Sequence, residues 1–504
     1  MYGIYRMRTI VERIWSWAPT LLASALVVLI GLKAIMAVDM GWDSLAYHLP
    51  FAAQRVGLLS DWQLQRPLPE QDILQGYYLG FPVVGDLLRG WLWKFSGKPE
   101  AVNLLGLISV LLMLAYLKWT YRQLEIAWVV IGILAIPAVQ TAAAGNYDDL
   151  PANAAFTIYL FSIVDLWSNP ERFRRPARWV VLFLAAFAAA NMKLQTSVFV
   201  CLAMPFLLLP TWRLLRERQA KWPAIAGAAL TAGGASLLVA FNLIKNLIVY
   251  RNPFYPVEVK IAGIYMGGPV THDAWLIPGR VYGDLPQPLQ WLISILEFHA
   301  LDGRDIPYSN GMGNVPWSSP AAGMGGFFGA LVIASFFLLI LAAKVRRDRT
   351  SIILLATVLL YSAVVALFPN SQNLRYETFS MMFLIIACLL LFRQPSLEPY
   401  LQSYKIVLFA SLVFVTSVTG GIYFIPKWNP MQDYVDRSGG EKLLEAIVQP
   451  GDVICMEQGP NEWDNRFTIM FAPVFHQKLA KERPYAIREG FCQGYKMLHR
   501  GKFY

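Results

Sequence analysis

Long apolar stretches alternate with short polar connections along most of the chain. A helix needs about 20 apolar residues to cross the hydrocarbon core of a bilayer, and shorter stretches suffice inside a bundle. The pattern therefore predicts an all-α polytopic membrane protein with about 11 transmembrane helices. In chain order, the predicted spans are Thr20–Val38, Ala101–Trp119, Ile126–Thr141, Pro151–Leu166, Trp179–Met192, Ser197–Leu209, Pro223–Ile248, Ala321–Ala343, Ser351–Phe368, Phe379–Phe392 and Ile406–Phe424.

Two of these spans, Trp179–Met192 and Ser197–Leu209, are short enough to have a second interpretation. They could form a re-entrant hairpin that enters and leaves the membrane on one side. Removing both spans leaves every other connection on the side where it was. The predicted topology therefore holds under either interpretation.

Composition narrows the class of protein. Of the 504 residues, 56% are hydrophobic and 15% are charged, whereas soluble domains are about 25% charged. An ordinary soluble domain and a disordered chain are thereby excluded. Four cysteines in a chain of this length also exclude a scaffold built from disulfides.

The net charge of +10 has a topological explanation. Basic residues collect in the N-terminal segment and in the short loops after the fourth, sixth and eighth predicted spans. By the positive-inside rule, these loops face the cytoplasm. We therefore expect a multi-pass protein of the bacterial inner (plasma) membrane, with a cytoplasmic N-terminus and an extracytoplasmic C-terminus. The basic residues are Arg6, Arg8, Arg13, Arg172, Arg174, Arg175, Arg178, Arg213, Arg216, Arg218, Lys221, Lys344, Arg346, Arg347 and Arg349.

The outer side then receives three sizeable pieces of chain. Residues 39–100 form a first outer loop with interfacial helices, and residues 250–320 form a second large loop. We predict a transmembrane domain over residues 1–424 and a small extracytoplasmic domain over residues 425–504.

The C-terminal tail shows a strand-like stretch at Asp452–Met456 and a helix-like stretch at Glu441–Val448. It is therefore predicted to be a small α/β or irregular unit. Cys455 and Cys492 both lie in this tail. An oxidising compartment would allow a disulfide between them, and two free thiols are the alternative.

Two carboxylates, Asp39 and Asp43, stand where the first span leaves the membrane on the predicted outer side. Over Ser44–Gly57, apolar and polar residues then follow at helical spacing, which predicts an amphipathic helix on the outer interface. Such a helix would hold Asp43 at the membrane surface, where a carboxylate can serve as a general base. The alternative is a solvated acid that caps the helix.

A second pair of carboxylates, Asp148 and Asp149, lies in a tight outer turn between two apolar spans. Charge beside lipid is costly and often marks a functional site. Pro151 suits the first turn of the next helix, so helix capping by Asp149 is an equally serious interpretation. Capping requires only one of the two acids.

Basic residues also stand at the predicted outer interface. A lysine or arginine there is either functional or extends its charged end to water. Acids and cations on one leaflet suit group transfer from a lipid phosphate, in which a carboxylate takes the acceptor's proton and cations hold the phosphate. The candidate cations are Lys193, Lys245, Arg251 and Arg375.

Taken in order, five short motifs resemble the GT-C superfamily of membrane glycosyltransferases, in particular glycosyltransferase family 39 and its aminoarabinose and protein O-mannosyl transferase relatives. The resemblance covers roughly the first 380 residues, with matching topology. The motifs are Trp42-Asp43 with Tyr47-His48, Tyr147-Asp148-Asp149-Leu150-Pro151, Met192-Lys193, Asn252-Pro253-Phe254-Tyr255-Pro256 and Arg375-Tyr376.

The resemblance implies a polyprenyl-phosphate sugar donor, a lipid, glycan or protein acceptor, and transfer with inversion at the anomeric carbon. It assigns the general base to Asp43. Relatives often have a second acid directly after the base, where this chain has Ser44, so Asp39 or an acid of the second turn is expected to assist.

Further roles follow from the same resemblance. The second-turn acid of the family matches Asp149 better than Asp148, and its phosphate-holding positions match Lys193 and Arg375, with Lys245 and Arg251 as further candidates. No nucleic acid is expected as a partner. The side chains expected to contact substrate are Tyr47, His48, Tyr147, Tyr255 and Tyr376.

Some relatives require a divalent metal. No His, Asp and Glu residues lie at the close spacing of a metal site, so we expect no cofactor and no metal, with a divalent metal left open as the alternative. Two other functions stay open. A transporter or flippase of lipid-linked glycans would need charges at the membrane midplane. An envelope glycan polymerase or ligase would use a diphosphate donor, and His272 and Arg280 leave room for it.

Overall fold

The computed structural model describes residues 2–66, 73–217, 234–261, 263–271, 285–296, 327–393, 395–437, 440–456, 468–489 and 496–498. Over these ranges the chain forms a helical bundle together with a small parallel sheet. This confirms in outline the predicted helical polytopic protein. His272, Arg280, His299, Cys492 and His499 lie outside the described ranges.

The first half of the chain is almost entirely helical. A π-helix over Ser44–His48 precedes α2, and a 3-10 turn over Pro99–Asn103 precedes α5. The α-helices are α1 (Tyr2–Met36), α2 (Leu49–Arg55), α3 (Ile73–Gly80), α4 (Val84–Ser96), α5 (Leu104–Thr120), α6 (Ile126–Leu134), α7 (Pro137–Ala143), α8 (Asp149–Ser168), α9 (Pro176–Met192), α10 (Leu194–Ala203) and α11 (Pro205–Glu217).

The second half adds further helices and most of the strands. A 3-10 turn over Leu374–Glu377 leads into α16. The helices are α12 (Phe241–Tyr250), α13 (Gln287–Leu296), α14 (Gly329–Arg346), α15 (Arg349–Leu367), α16 (Thr378–Leu391), α17 (Glu398–Val418), α18 (Met431–Arg437), α19 (Gly440–Ile447) and α20 (Gln477–Glu482). The strands are β1 (Leu64–Gln65), β2 (Val259–Ile261), β3 (Ile264–Met266), β4 (Val453–Met456), β5 (Ala486–Glu489) and β6 (Lys496–Leu498).

Eight helical segments in the described part of the chain are long and apolar enough to cross a membrane. The fifth predicted span is the shorter apolar helix α9, and the seventh is described only from residue 234 onward. The sixth predicted span is long enough to cross by itself. The eight segments are Trp17–Met36, Pro99–Thr120, Asp149–Ser168, Leu194–Arg213, Gly329–Arg346, Arg349–Leu367, Leu374–Leu391 and Glu398–Val418.

The third predicted span is not a straight helix. Helices α6 and α7 meet at an angle of 97°. Pro137 begins α7 and disfavours helical geometry at the preceding residue, and Ile136 is indeed extended, with ψ of 114°. The Gln140 side-chain amide donates to the Leu134 carbonyl at 2.6 Å and so satisfies a backbone acceptor that the break releases.

The last predicted span is displaced along the sequence. The helix begins at Glu398, not at Ile406, and ends at Val418 because Gly420 and Gly421 adopt positive φ angles. Its first turns are polar, which hid them from the hydropathy pattern. Lys405 is accommodated there by an ion pair with Glu125, with 2.9 Å between Nζ and Oε2.

Helices α8 and α16 form the centre of the bundle. Both carry apolar side chains on all sides, which is typical of helices surrounded by other helices. Phe156 meets Phe379 edge to face at 4.7 Å, and Phe161 stacks on Phe383 at 4.4 Å. This packing fixes the ends of α8 and α16 relative to each other.

The C-terminal tail is joined to the first loop. Its strands β4, β5 and β6 form a parallel sheet with β1, in the order β1-β5-β4-β6. The strand and helix predicted in the tail are present as β4 and α19. One apolar core contains Leu45 and Leu49 from the first loop and Ile454 and Ile487 from the tail. The tail therefore supports the loop that carries Asp43. Cys455 is disulfide-bonded.

Candidate active site

A cavity of about 180 Å³ lies where four connections between helices converge. These connections follow α1, precede α8, join α9 to α10 and precede α16. The structure thus brings together most of the charged and aromatic positions that the sequence predicted. The lining residues are Trp42, Asp43, Tyr47, His48, Phe51, Tyr77, Phe81, Pro82, Asp86, Asp148, Asp149, Met192, Lys193, Leu194, Gln195, Arg375 and Tyr376.

Helix ends place the charged groups at this cavity. Asp149 is the first residue of α8, and Lys193 is an extended residue between α9 and α10. Asn153 ties these elements to the turn that bears Arg375. Its side-chain amide donates to the Asp149 carbonyl at 2.6 Å, and its side-chain oxygen accepts from the Phe379 backbone amide at 3.0 Å. The sequence reasoning missed Asn153.

Four charged side chains alternate in sign along one wall of the cavity. Arg375 Nη2 lies 3.1 Å from Asp43 Oδ2, and Arg375 Nε lies 4.0 Å from Asp149 Oδ2. The Lys193 ammonium pairs with Asp149 Oδ1. Burial, followed by the nearby Arg375 guanidinium, holds the pKa of Lys193 well below its usual range. In the ion-paired form that these contacts describe, the wall is a chain of two cations and two carboxylates.

Aromatic rings flank both cations. Lys193 Nζ lies 4.1 Å from the centre of the Tyr376 ring. The Arg375 guanidinium carbon lies 5.3 Å from the Tyr147 ring and 5.1 Å from the Tyr376 ring. A cation over a ring face is stabilised electrostatically and loses mobility. These rings therefore orient the cations that face the cavity.

Neither candidate base is used as a helix cap through its side chain. Asp43 precedes the π-helix and Asp148 precedes α8, and neither makes a side-chain capping hydrogen bond. Asp43 instead turns towards Arg375, and Asp148 turns towards Arg89. The capping interpretation therefore does not explain Asp43. Asp149, the predicted cap of α8, is instead the first residue of that helix, and its carboxylate pairs with Lys193.

Asp39 lies behind the cavity wall and does not line it. Its two carboxylate oxygens accept hydrogen bonds from the backbone amides of Gly41, at 2.9 Å, and Asn146, at 2.8 Å. The Asn146 side-chain amide also donates to Ser44 Oγ at 3.1 Å. Burial raises the pKa of Asp39. Asp39 thus joins the first loop to the second turn.

A second charged group, formed by Arg89, Asp86, Asp148 and His48, borders the cavity. Arg89 Nη1 lies 2.8 Å from Asp148 Oδ1, 3.3 Å from Asp86 Oδ1 and 3.2 Å from His48 Nδ1. Burial, and then the Asp148 charge, raises the pKa of Asp86 to about 8. Burial, and then the Arg89 charge, lowers the pKa of His48 well below its usual range.

Sequence reasoning missed Asp86 and Arg89. They lie three residues apart on α4 and so share one face of that helix. Two opposite charges at this spacing inside a largely apolar helix are the signal that could have indicated them. Nothing along the sequence indicated that His48 and Asp148 would meet the same face.

The segment predicted as an amphipathic interfacial helix is helical but largely buried. The π-helix Ser44–His48 continues directly into α2. Leu49, Phe51 and Ala52 are buried, as is Ser44. Single π-helical turns are frequently found at functional sites. Here the segment presents Tyr47 and His48 to the cavity.

Several predicted site residues lie away from the cavity. Lys245 donates to the Leu79 carbonyl at 2.7 Å, and Arg251 is exposed at the end of α12. Tyr255 is buried and stacks on Tyr250 with 3.8 Å between ring centres. Tyr147 packs behind Arg375.

Among the residues that the structure describes, His48, Asp86 and Asp148 are a group whose ligand atoms lie within 4.8 Å of one another. Arg89 Nη1 lies within 3.3 Å of an atom of each. A fixed positive charge therefore already stands between these side chains. With Arg89 in place, the group does not fit a divalent cation.

Comparison with known proteins establishes the fold. No family model and no curated protein matches the chain. The structure of ArnT from Cupriavidus metallidurans bound to undecaprenyl phosphate aligns with a TM-score of 0.50 and 13% identity, covering 94% of this chain and 90% of that one. Apo ArnT gives a TM-score of 0.49 at 13% identity, covering 95% and 90%. The chain has an ArnT-like fold, as its resemblance to the GT-C superfamily implied.

Proposed function

We propose that this protein is a membrane glycosyltransferase that moves a sugar from a polyprenyl-phosphate donor to an acceptor hydroxyl. The observation that carries the proposal is the cavity in which Asp43, Lys193 and Arg375 meet between membrane helices. The ArnT structure with the similar fold contains undecaprenyl phosphate, the kind of lipid that such a donor releases. In this proposal the site faces the extracytoplasmic side of the bacterial inner membrane.

Asp43 is the proposed general base. Its carboxylate lines the cavity, and 17% of the side chain is exposed. It is therefore accessible to an acceptor hydroxyl that enters the cavity, and a base must come within hydrogen-bond reach of the proton it takes. Asp149 is bound by two cations, so its proposed part is to orient Lys193 and Arg375.

Lys193 and Arg375 are the proposed phosphate-binding groups. An arginine can donate two parallel hydrogen bonds to a phosphate, and a lysine adds a second charge. In the absence of donor, Arg375 pairs with Asp43. A phosphate that binds Arg375 competes with this pair, so donor binding releases the carboxylate of the base.

The proposed reaction forms one bond and breaks one. The acceptor oxygen attacks the anomeric carbon while Asp43 takes its proton, and the bond from that carbon to the phosphate oxygen breaks with inversion. The phosphodiester donor carries one negative charge, and the released polyprenyl phosphate carries a second. Lys193 and Arg375 stabilise this developing charge, which is the most effective place for fixed cations.

Aromatic side chains provide the apolar part of the cavity. Trp42 meets Tyr47 edge to face with 5.9 Å between ring centres, and Tyr77 stacks on Phe81 at 4.5 Å. Ring faces of this kind suit the apolar face of a sugar and the first isoprene units of the lipid. We therefore assign these residues to donor binding.

The proposal is tested with purified protein in lipid nanodiscs. The protein is incubated with radiolabelled polyprenyl-monophosphate sugars and a panel of acceptors, and released polyprenyl phosphate is measured by chromatography. We expect release from a monophosphate donor and covalent transfer of the label. Activity only with diphosphate donors would support a polymerase or ligase instead. In a parallel assay with the protein in closed vesicles, movement of the donor across the membrane without a covalent product would support a flippase.

A further inference from the structure

The point where His48, Asp86 and Asp148 converge is filled by an arginine side chain. Each of the three residues directs an oxygen or nitrogen at Arg89 Nη1, at 2.8 to 3.3 Å. The three come from separate pieces of chain: the π-helix Ser44–His48, helix α4 and the turn before α8. One nitrogen atom thus joins three elements that border the cavity.

The chain is built to bring Arg89 to this point. The Arg89 side chain is completely buried, whereas 12% of the Asp148 side chain is exposed. Helix α4 approaches closely because two of its positions lack a Cβ atom. A Cβ on Gly85 would overlap the Asp148 carboxylate, and a Cβ on Gly90 would overlap the Ala52 carbonyl.

The three partners of Arg89 belong to residue types that commonly bind divalent metals in other proteins. An imidazole and two carboxylates on one centre are typical of zinc and related ions, at about 2.0 to 2.2 Å. Here the contacts are an ion pair with Asp148 and hydrogen bonds with His48 and Asp86, at distances typical of a guanidinium. A metal ion and Arg89 Nη1 would be two positive charges at one buried point, which excludes joint occupancy.

The residues next to His48 and Asp148 in the chain connect the surroundings of Arg89 to the proposed site of sugar transfer. His48 follows Tyr47, which lines the cavity, and the π-helix that holds both begins directly after Asp43. Asp148 precedes Asp149, which pairs with Lys193. A shift of either partner would therefore displace another residue that lines the cavity.

We propose that Arg89 takes the place of a divalent cation between His48, Asp86 and Asp148 and is a positioning residue for sugar transfer. The positioning part rests on the proposed function. The cation part does not, because it concerns only which positive charge holds the three side chains together.

The cation part is tested by titrating tag-free protein in nanodiscs with Co²⁺ and recording its visible absorption. We expect no Co²⁺ site that depends on His48 in the wild-type protein. Arg89→Ala should gain one Co²⁺ per chain, and the double variant Arg89→Ala/His48→Ala should lose it. Arg89→Lys is the matched control, which keeps a positive charge and should bind none.

Either of two results would overturn the cation part. One is a Co²⁺ site in the wild-type protein that disappears in His48→Ala. The other is a folded Arg89→Ala protein that binds no Co²⁺. If Arg89→Ala does not fold, the titrations of the wild-type protein, His48→Ala and Arg89→Lys still test the cation part. Co²⁺ bound by Arg89→Lys would contradict it. Co²⁺ bound at His48 in the wild-type protein would contradict it as well.

The positioning part is tested by steady-state transfer kinetics. Arg89→Ala should lower kcat by roughly 10- to 100-fold, as removal of residues that orient a site does, with a smaller change in KM. Added Co²⁺ should restore part of the kcat of Arg89→Ala and leave the wild-type kcat unchanged. An unchanged kcat in Arg89→Ala, or no recovery with Co²⁺ bound, would refute it. A wild-type protein without transfer activity would refute the proposed function, and the Co²⁺ titration would still stand.

Discussion

Arg375 Nη2 lies 3.1 Å from Asp43 Oδ2, although the two residues are far apart in the sequence. Asp43 follows the first helix, α1, and Arg375 lies in the turn before α16. One is the proposed phosphate ligand and the other the proposed base. Their contact couples the two roles, because a phosphate that binds Arg375 removes the partner of Asp43. Sugar transfer should therefore depend on both residues and require the donor to bind before the base acts.

Replacing the proposed base should abolish transfer without unfolding the protein. Asp43→Asn keeps the shape of the side chain and removes its ability to take a proton. We expect kcat to fall by roughly 100- to 10,000-fold, measured with a polyprenyl-monophosphate sugar. Asp61→Asn, an exposed acid of the same loop, is the matched control and should keep full activity. Full activity in Asp43→Asn would assign the base to another residue.

Removing either cation should weaken stabilisation of the leaving phosphate. Lys193→Met and Arg375→Gln should each lower kcat/KM by roughly 100- to 1,000-fold. Arg375→Lys keeps the charge but not the two parallel donors, so its loss should be smaller. Lys98→Met, at an exposed lysine, is the control for charge removal. Equal losses in Lys98→Met and Lys193→Met would show a general charge effect.

The stability of the protein should decline between about pH 4 and 8 because of Asp86. Folding raises the pKa of this carboxyl from 3.8 to about 8, so the folded protein holds a proton that the unfolded chain releases. That stabilisation is complete below pH 4 and is lost as the pH rises through 8. The shift is caused first by burial and then by Asp148, while Arg89 and Arg55 oppose it.

The measurement is the unfolding temperature of wild-type protein and Asp86→Asn between pH 6.5 and 8. In this interval His48 is neutral in the folded protein because its pKa is lowered from 6.5. The wild-type value should fall with rising pH more steeply than that of Asp86→Asn. Asp436→Asn, at an exposed acid, should follow the wild-type curve. Parallel curves for wild type and Asp86→Asn would contradict the raised pKa.

Asn153 should be needed for both stability and transfer. Its side chain bonds the Asp149 carbonyl and the Phe379 amide, and an interhelical hydrogen bond of this kind contributes about 1 kcal/mol. Asn153→Ala should lower the unfolding temperature and raise KM for the donor, since Arg375 loses its support. Gln402→Ala, at an exposed helix position, is the control. Unchanged KM in Asn153→Ala would separate this contact from the site.

The parts of the fold that depend on the length of apolar stretches and on the distribution of charge could be predicted from the sequence. Most spans coincide with the predicted ones because a bilayer demands long apolar helices. Charged residues at the ends of apolar stretches could be predicted as candidate site residues. These residues are Asp43, Asp149, Lys193 and Arg375. Their assignment to one leaflet followed from counting spans.

Features that depend on packing between distant residues could not be predicted. The 97° bend before Pro137 is stabilised by a side-chain bond from Gln140. The polar start of the last span is stabilised by Glu125 from another loop. Arg89 is the clearest case, since its partners His48 and Asp148 come from two other segments.

We propose that a polyprenyl phosphate binds between Lys193 and Arg375 beside Asp43. An experimental structure of the wild-type protein with a polyprenyl-monophosphate sugar would decide this. We expect the phosphate within hydrogen-bond distance of Lys193 Nζ and the Arg375 guanidinium, with the Asp43 carboxylate released from Arg375 and facing the anomeric carbon. A phosphate bound outside this cavity, with Asp43 still paired to Arg375, would contradict it.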